Sequence, residues 1–476
     1  MKILNFDFLP SVTMVERTII KHALIFVVQL LIVWIQPSVS LSSSLSGLRV
    51  MVVGGSGRVG GSCVNRLVKQ GAAVVTVGGT NRDRFEESKA TWKVQRNEHV
   101  AAEAIEKISF VQVDKENTQS VSAALQPGAF DLVVHTAGPF QGKVGTNNGV
   151  LEACIESGTP YMDVCDDYCT ARAAKTKFDA LAKQKGIPCI ISTGCWPGVS
   201  SLMAKQLVRL MLKHEPNLKP SDLEVNFSFF TAGSGGAGVT LLVATFLILS
   251  EKALTIVKGR RKEVSPMTEY STYNFGDIIG DRAIAHLNLL ETASIHDTLG
   301  VGSTQSLFGT APPIWNWLLG VMARTVPADI LANESWMLGL SQFSLPIVRL
   351  VDILAGATNA MRVDVLAPAV SSSDETKRPR MTAIYGHENL EPCVGECVVA
   401  FAAAIRSGIV APGVSFPEEA IAAGDDIASV LQMASTGAHT RTTETENVDS
   451  AAMLLKPEHV WGAASTATIN KRNLAS

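Results

Sequence analysis

Short apolar runs alternate with amphipathic segments through the first half of the chain. Runs rich in valine and isoleucine occupy residues 48–53, 72–79, 108–113, 131–135, 161–164 and 187–192. Continuous apolar runs of this length are typical of strands buried on both faces of a parallel sheet. Segments with helical spacing follow several of them, one of which ends at Gly71 and another at Gly158. This alternation predicts an α/β fold of the Rossmann type, with a doubly wound parallel sheet over residues 48–205.

The second half of the chain has a different pattern. Apolar and polar residues partly alternate over 223–230, residues 239–249 are predominantly apolar, and 362–368 and 380–386 read as a hairpin. These patterns predict a second α+β domain over 206–390, inserted before a C-terminal helix that returns to the first domain over 391–430. The remaining residues, 431–476, lack sustained periodicity and predict a flexible tail.

The first 47 residues predict a presequence rather than part of the fold. Ala23–Ile35 is a 13-residue apolar run, interrupted by one Gln, after Arg17 and Lys21, and a serine-rich stretch follows it. A spanning helix needs about 20 apolar residues, so a cleavable signal sequence is favoured. A signal sequence followed by a serine-rich transit peptide resembles the bipartite presequences that direct proteins to a plastid. Two alternatives remain open, namely the secretory pathway or ER, and a retained membrane anchor at residues 23–35.

Composition narrows the classes of function. The net charge of -3 over 476 residues argues against a nucleic-acid partner. The eight cysteines form no CxxC pair, so neither a zinc site nor a disulfide framework is indicated, and we expect no metal.

A glycine-rich turn directly follows the first apolar run. Residues 51–61 read MVVGGSGRVGG, which satisfies GxGxxG, and a helical segment and a second apolar run follow within about 30 residues. In this context glycines let backbone N–H groups approach a pyrophosphate at a helix N-terminus. The contacts predicted for a dinucleotide are therefore Gly54, Gly55, Ser56, Gly57, Arg58, Val59 and Gly60. The alternative is a purely structural turn.

The end of the second run bears on the choice of cofactor. Residues 78–84 read GGTNRDR, with no acidic residue at the predicted strand tip. A guanidinium there suits a 2′-phosphate, so Asn81 and Arg82 predict NADP rather than NAD, with Arg84 as the alternative arginine. Later strand ends predict further contacts, from Asp114 near the adenine and from Ala137, Gly138 and Pro139 near the nicotinamide ribose. The arginines could instead belong to a solvated turn.

The order of these motifs resembles the saccharopine dehydrogenase-like family. GGSGRVGG is followed by HTAGPF, VLEACIESGTPYMDVCDD and STGCWPGVSSLMA, and PGVSFPEEAI occurs near residue 415. The resemblance implies an NADP-dependent oxidoreductase that reduces an imine or carbonyl of a small, amino-acid-like substrate. The middle of the chain departs from that pattern because it shows no obvious arginine clamp for two carboxylates.

Candidate catalytic residues stand at the carboxyl ends of the predicted strands, where ligands bind in open α/β sheets. They are His135, Asp163 and Cys195, with Asp166, Tyr168 and Trp196 nearby. The sequence leaves a second class of function open, a non-catalytic NADP-binding scaffold or membrane-associated protein of the same fold. We also expect a homodimer and a possible peripheral membrane contact through the tryptophan-containing middle segment.

Overall fold

The structure is a computed structural model that describes residues 45–94, 102–142, 148–232, 238–369, 378–446 and 457–461. All of these residues belong to one compact unit, Leu41–Ser476. Residues 1–44 of the predicted presequence, with the apolar run Ala23–Ile35, lie outside the described residues, and its plastid destination stays a prediction. Residues 45–47 form a turn, and Leu45 is buried in the apolar core, so the packed fold includes residues that we assigned to the presequence.

The chain alternates strands and helices as the apolar pattern predicts. The strands are β1 (Arg49–Val53), β2 (Val74–Gly79), β3 (Ser109–Gln112), β4 (Leu132–His135), β5 (Tyr161–Asp163), β6 (Pro188–Ile190), β7 (Glu224–Ala232), β8 (Ala253–Val257), β9 (Arg260–Val264), β10 (Ser271–Asn274), β11 (Asp281–His286), β12 (Ser303–Ala311), β13 (Thr358–Leu366), β14 (Arg380–His387), β15 (Gly413–Ser415) and β16 (Thr440–Glu446). The helices are α1 (Arg58–Lys69), α2 (Arg82–Val94), α3 (Ala102–Glu106), α4 (Thr118–Ala124), α5 (Gly149–Ser157), α6 (Tyr168–Lys185), α7 (Val199–His214), α8 (Val239–Leu247), α9 (Leu290–Leu299), α10 (Pro313–Thr325), α11 (Ala328–Leu331), α12 (Glu334–Ala355), α13 (Leu390–Arg406), α14 (Pro417–Ala420), α15 (Gly424–Ala434) and α16 (Pro457–Trp461).

The first sheet is parallel, with strand order β15-β6-β5-β4-β1-β2-β3. Val50 is paired with Val75 on one side and with Leu132 on the other, so β1 lies in the middle of the sheet. Alternate residues of β1 enter two different apolar clusters, Val50 and Val52 on one face and Met51 and Val53 on the other. Burial on both faces explains why the strand reads as a continuous apolar run, and the predicted doubly wound fold is confirmed.

The second sheet is mixed, with strand order β10-β11-β12-β7-β13-β14-β16. Strands β12 and β7 are parallel, whereas β13 runs antiparallel to both β7 and β14. The β8–β9 hairpin attaches to β12. Helix α13 then packs against α1, and β15 adds a strand beside β6 of the first sheet. The chain therefore returns to the first domain after building the second.

The residues after Ala434 correct one expectation. We predicted a flexible tail over 431–476, yet β16 pairs along its whole length with β14. Trp461 of α16 is buried with its ring 6.2 Å from that of Tyr385. The strand reads TRTTETE, and its threonines favour an extended backbone although no apolar period marks it. An edge strand with so polar a sequence carries no hydrophobic signal, which is why the sequence pattern missed it.

Candidate functional site

The turn after β1 has the geometry that its glycines predict. Gly54 has a φ of +81°, and a Cβ there would stand 2.8 Å from the Cβ of Ala137. A Cβ on Gly60 would stand 2.3 Å from the carbonyl oxygen of Gly54. Both positions therefore require glycine, one for its backbone conformation and the other for the close approach of α1 to the turn.

Helix α1 presents an N-terminus with no carboxylate. Gly57 is the N-cap residue, it supplies no side-chain cap, and the first turn contains no acidic residue. The backbone N–H groups of a helix's first turn have no partner within the helix, and they carry the positive end of its dipole. The turn therefore offers an anion such as a pyrophosphate the backbone donors it needs.

A cleft of about 660 Å³ lies along this turn and the carboxyl ends of β1, β2, β3 and β4. Eleven of the predicted cofactor contacts line it, namely Gly54, Ser56, Gly57, Arg58, Val59, Gly60, Asn81, Asp114, Ala137, Gly138 and Pro139. The structure thus brings together residues that are spread over 86 positions of sequence, from 54 to 139.

Two predicted contacts do not line the cleft. A Cβ on Gly55 would meet the methyl groups of Val77 at 3.0 and 3.1 Å, so this glycine serves the packing of the turn on β2. The guanidinium of Arg82 lies over the ring of Phe110, 5.3 Å from its centroid. Arg84, the alternative arginine, lines the cleft beside Thr80 and Asn81.

The structure at the end of β2 explains why Arg84, rather than Arg82, lines the cleft. The Asn81 side-chain oxygen accepts a hydrogen bond from the backbone N–H of Arg84 at 2.9 Å, so Asn81 caps α2. Helix α2 therefore begins at Arg82, and its first turn rotates Arg82 towards Phe110 and Arg84 towards the cleft. A one-residue shift of a helix start, too small to fix from sequence, decides which guanidinium faces the ligand.

Other residues of the cleft were not predicted as contacts. Lys115, after β3, donates to the carbonyl oxygen of Ala137 at 2.8 Å. From the second domain, Gly238 and the first turn of α8 line the cleft, and Arg349 of α12 lies on its wall. Glu391 of α13 lines the cleft and forms a 2.8 Å ion pair with Arg58. The glycine-rich sequence at 233–238, directly before α8, was the available signal.

A second cavity, of about 350 Å³, adjoins the first. Most of its lining is apolar and comes from the second domain, including Leu242, Phe246, Leu287, Phe308, Trp315, Leu319, Met322 and Leu340. Trp196 and Pro197, from the loop after β6, also line the cavity, and the Trp196 ring lies 4.7 Å from that of Phe229. Among the lining residues that the structure describes, none is lysine, arginine or histidine.

The two cavities share a wall made of five residues, which are Gln141, Asp166, Leu241, Ala244 and Leu390. Asp166 is the ionisable residue of this wall. Burial raises the pKa of its carboxyl to about 6, and a hydrogen bond from Gln141 opposes that rise. A carboxyl group with such a pKa can hold and release a proton near neutral pH.

A second carboxyl group lines the apolar cavity. Glu291, in the first turn of α9, is 1% exposed and accepts a hydrogen bond from the Ser200 hydroxyl at 2.8 Å. Burial raises the pKa of Glu291 to about 7. The cavity is therefore lined by two carboxyl groups whose pKa values are raised, and its described lining has no cation that would bind a carboxylate.

The three catalytic candidates from the sequence line neither cavity. His135 is fully buried beside Tyr161, with its Nδ1 3.1 Å from the phenol oxygen, and burial lowers its pKa to about 3. Asp163 accepts hydrogen bonds from the backbone N–H groups of Cys165 and Ser192 and from the Tyr161 hydroxyl. It therefore joins the end of β5 to the loop after β6.

Cys195 is buried away from both cavities, and burial raises the pKa of its thiol well above the usual value. In the described residues, no group of three or more histidine, cysteine, aspartate or glutamate side chains is placed to hold a metal ion. Nor is any described helix long and apolar enough to cross a membrane.

Comparisons with known proteins agree with this geometry. Residues 50–190 match the saccharopine dehydrogenase NADP binding domain. Among solved structures, the chain is similar to an apo, histidine-tagged saccharopine dehydrogenase (L-Glu forming) from Saccharomyces cerevisiae, with a TM-score of 0.54 and 12% identity over 84% of this chain and 100% of that one. At this identity the similarity shows the fold alone. A comparison with curated protein sequences gives no match.

Partial matches cover about a third of the chain. Pen from Bacillus thuringiensis matches with 15% identity over 31% of this chain and 51% of its own, and the MalC reductase/Diels-Alderase from Malbranchea aurantiaca with 14% over 32% and 74%. Their TM-scores are both 0.25.

The fold and the cleft together define a dinucleotide-binding protein of the Rossmann class. More particularly, residues 50–190 match a saccharopine dehydrogenase NADP-binding domain, so the resemblance seen in the motifs is confirmed and the match supports NADP as the cofactor. A domain of this kind indicates an oxidoreductase.

Proposed function

We propose that the chain is an NADP-dependent oxidoreductase for an apolar small molecule with a carbonyl or imine group, or the corresponding alcohol or amine. The observation that carries this proposal is the wall shared by the NADP cleft and the apolar cavity. A substrate in that cavity and the reactive end of a cofactor in the cleft would meet beside Asp166.

The lining of the cavity favours an apolar substrate over the amino-acid-like one that the resemblance implies. Burying a carboxylate without a cationic partner is costly, and the described lining offers none. An apolar molecule instead gains roughly 25 cal/mol for each Å² of surface that it buries there. The threonines Thr231 and Thr310, which also line the cavity, supply a few polar contacts for orientation.

Different residues of the chain bind the cofactor, exclude water and transfer the proton in the proposed reaction. Bound NADP supplies the donor or acceptor of the hydride. The glycine turn and the α1 N-terminus hold the cofactor's phosphates, and the apolar lining excludes water from the reacting carbon. In the reductive direction Asp166 gives its proton to the carbonyl oxygen or imine nitrogen as the hydride reaches carbon, and in the oxidative direction it takes that proton back. Gln141 holds the Asp166 carboxyl through a side-chain hydrogen bond.

Consumption of NADPH over a substrate panel tests the proposal. Medium-chain aldehydes and cyclic ketones form the apolar arm, and 2-oxo acids paired with amino acids form the charged arm. We expect turnover in the apolar arm, with Asp166→Asn lowering kcat by roughly 10²-fold or more and leaving NADPH affinity unchanged. The control is Asp425→Asn, since Asp425 is an exposed carboxylate of α15 that lines neither cavity.

Two outcomes would contradict the proposal. Turnover confined to the charged arm would restore an amino-acid-like substrate. NADPH binding without turnover in either arm would favour the non-catalytic scaffold.

A further inference from the structure

Helices α10, α11 and α12 carry most of the large apolar side chains that the described structure leaves exposed. Eight of the eleven lie between residues 314 and 350. We call these eight the apolar face, which consists of Ile314, Trp317, Ile330, Trp336, Leu338, Phe343, Ile347 and Leu350. Phe343 is 77% exposed and Trp336 is 67% exposed. So dense an exposed set on one segment marks an interaction surface rather than ordinary surface composition.

The spacing of these residues gives each long helix an outer apolar side. Phe343, Ile347 and Leu350 stand at i, i+4 and i+7 of α12, so they project from one face. Ile314 and Trp317 are three residues apart on α10 and share a face in the same way.

Other residues of the same two helices form the roof of the apolar cavity. Trp315, Leu318 and Met322 of α10 line it, as do Leu340 and Val348 of α12. A single layer of helices therefore separates the cavity from whatever lies against the apolar face. Continuity between the two apolar regions favours an occupant that can itself deliver or accept apolar molecules.

The charges of the segment identify the chemistry of that occupant. Residues 313–351 contain two basic residues, Arg324 and Arg349, and two acidic ones, Asp329 and Glu334, so their net charge is zero. A charged peptide or an anionic headgroup layer would find no excess of opposite charge here, whereas an uncharged apolar phase matches it. Trp317 and Trp336 suit the boundary of such a phase, because indole rings are favoured between acyl chains and water.

We propose that the apolar face docks on a neutral lipid surface, with α10 and α12 lying in its plane and their apolar sides about 5–10 Å deep. No described helix is long and apolar enough to cross a membrane. The link to the cavity rests on the proposed function, but docking itself needs neither substrate nor cofactor. A second copy of the chain would cover the same face and leave the cavity without access to lipid.

Hydrogen exchange in the full chain, with and without phosphatidylcholine vesicles, tests this site. We expect amides of residues 313–351 to exchange at least about fivefold more slowly with vesicles, while residues 253–264, in β8 and β9, are unchanged. High salt should leave the protection intact, since apolar burial rather than charge drives it. The double variant Trp336→Ser/Phe343→Ser should lose the protection, and Val74→Ser/Val257→Ser, which alters exposed apolar residues outside the face, should keep it.

NADPH binding by each variant verifies that it is folded. The proposal is overturned if vesicles leave residues 313–351 unprotected, or if the double variant keeps the protection. Protection that grows with protein concentration in the absence of lipid would assign the face to a second copy of the chain. None of these readouts involves turnover, so their failure leaves the oxidoreductase proposal to be judged by its own assay.

Discussion

The NADP cleft and the apolar cavity share a wall, yet different parts of the chain form them. Backbone forms most of the phosphate end of the cleft, where Gly54 and Gly60 fit only as glycine and the α1 N-terminus supplies donors. Side chains from separate elements form the cavity, among them Trp196, Phe246 and Phe308. The phosphate end of the cleft therefore tolerates little change of backbone shape, whereas the shape of the apolar cavity depends on which side chains meet there.

The largest expected effect is a loss of NADPH affinity at the glycine turn, where backbone groups form the cleft. Gly57→Asp should weaken NADPH binding by roughly 10³-fold, about 4 kcal/mol, because a carboxylate at the α1 N-cap repels the pyrophosphate and occupies its donors. Calorimetric titration measures the loss. Gly57→Ala is the matched variant, since it adds a Cβ 3.2 Å from the Gly54 oxygen but no charge, and we expect it to lose much less. Equal losses in both variants would show that space, rather than anion binding, defines this end.

The next largest effect is a pH dependence of the unfolding free energy that comes from Glu291, a buried acid of the apolar cavity. Burial raises the pKa of Glu291 from an ordinary 4.5 to about 7, so the folded state holds this proton more tightly than the unfolded state. The resulting stabilisation is complete below about pH 4.5 and is lost as the pH rises through 7, which amounts to about 3 kcal/mol. Glu291→Gln keeps an acceptor for Ser200 and should flatten the decline in unfolding free energy between pH 5 and pH 8.

Urea unfolding at several pH values gives that slope. Glu263→Gln is the control, because Glu263 is an exposed residue of β9. If the Glu291 variant declines as steeply as the control, then Glu291 is not a buried acid and the cavity is more hydrated than its lining suggests.

The smallest expected effect concerns the NADP cleft and its preference between NADPH and NADH. Arg84→Ala should lower the preference for NADPH over NADH, measured as the ratio of the NADH and NADPH dissociation constants, by about tenfold, or about 1.4 kcal/mol. The reason is that Arg84 lines the cleft beside the β2 tip. Arg82→Ala should change that ratio little, because its guanidinium lies over Phe110. A reversed order of the two variants would return the role to Arg82.

Sequence reasoning succeeded where chemistry is carried by local backbone. The glycine turn, the strand ends at Asp114 and Gly138, and the parallel sheet all leave a periodic or glycine signal. It failed where a contact depends on tertiary packing, as with Arg349 and Glu391, which reach the cleft from distant helices. Asp166 shows the limit well, because only the fold distinguishes its place in the shared wall from that of Asp163, three residues earlier in the chain.

The most direct test of the central claim is kcat/KM for NADPH oxidation along a series of straight-chain aldehydes that differ by one methylene. If the apolar cavity of about 350 Å³ holds the substrate, kcat/KM should rise about fourfold with each added methylene, as expected for about 0.8 kcal/mol of burial, until the cavity is full. A value that stays flat along the series, or falls from the shortest member, would contradict the account.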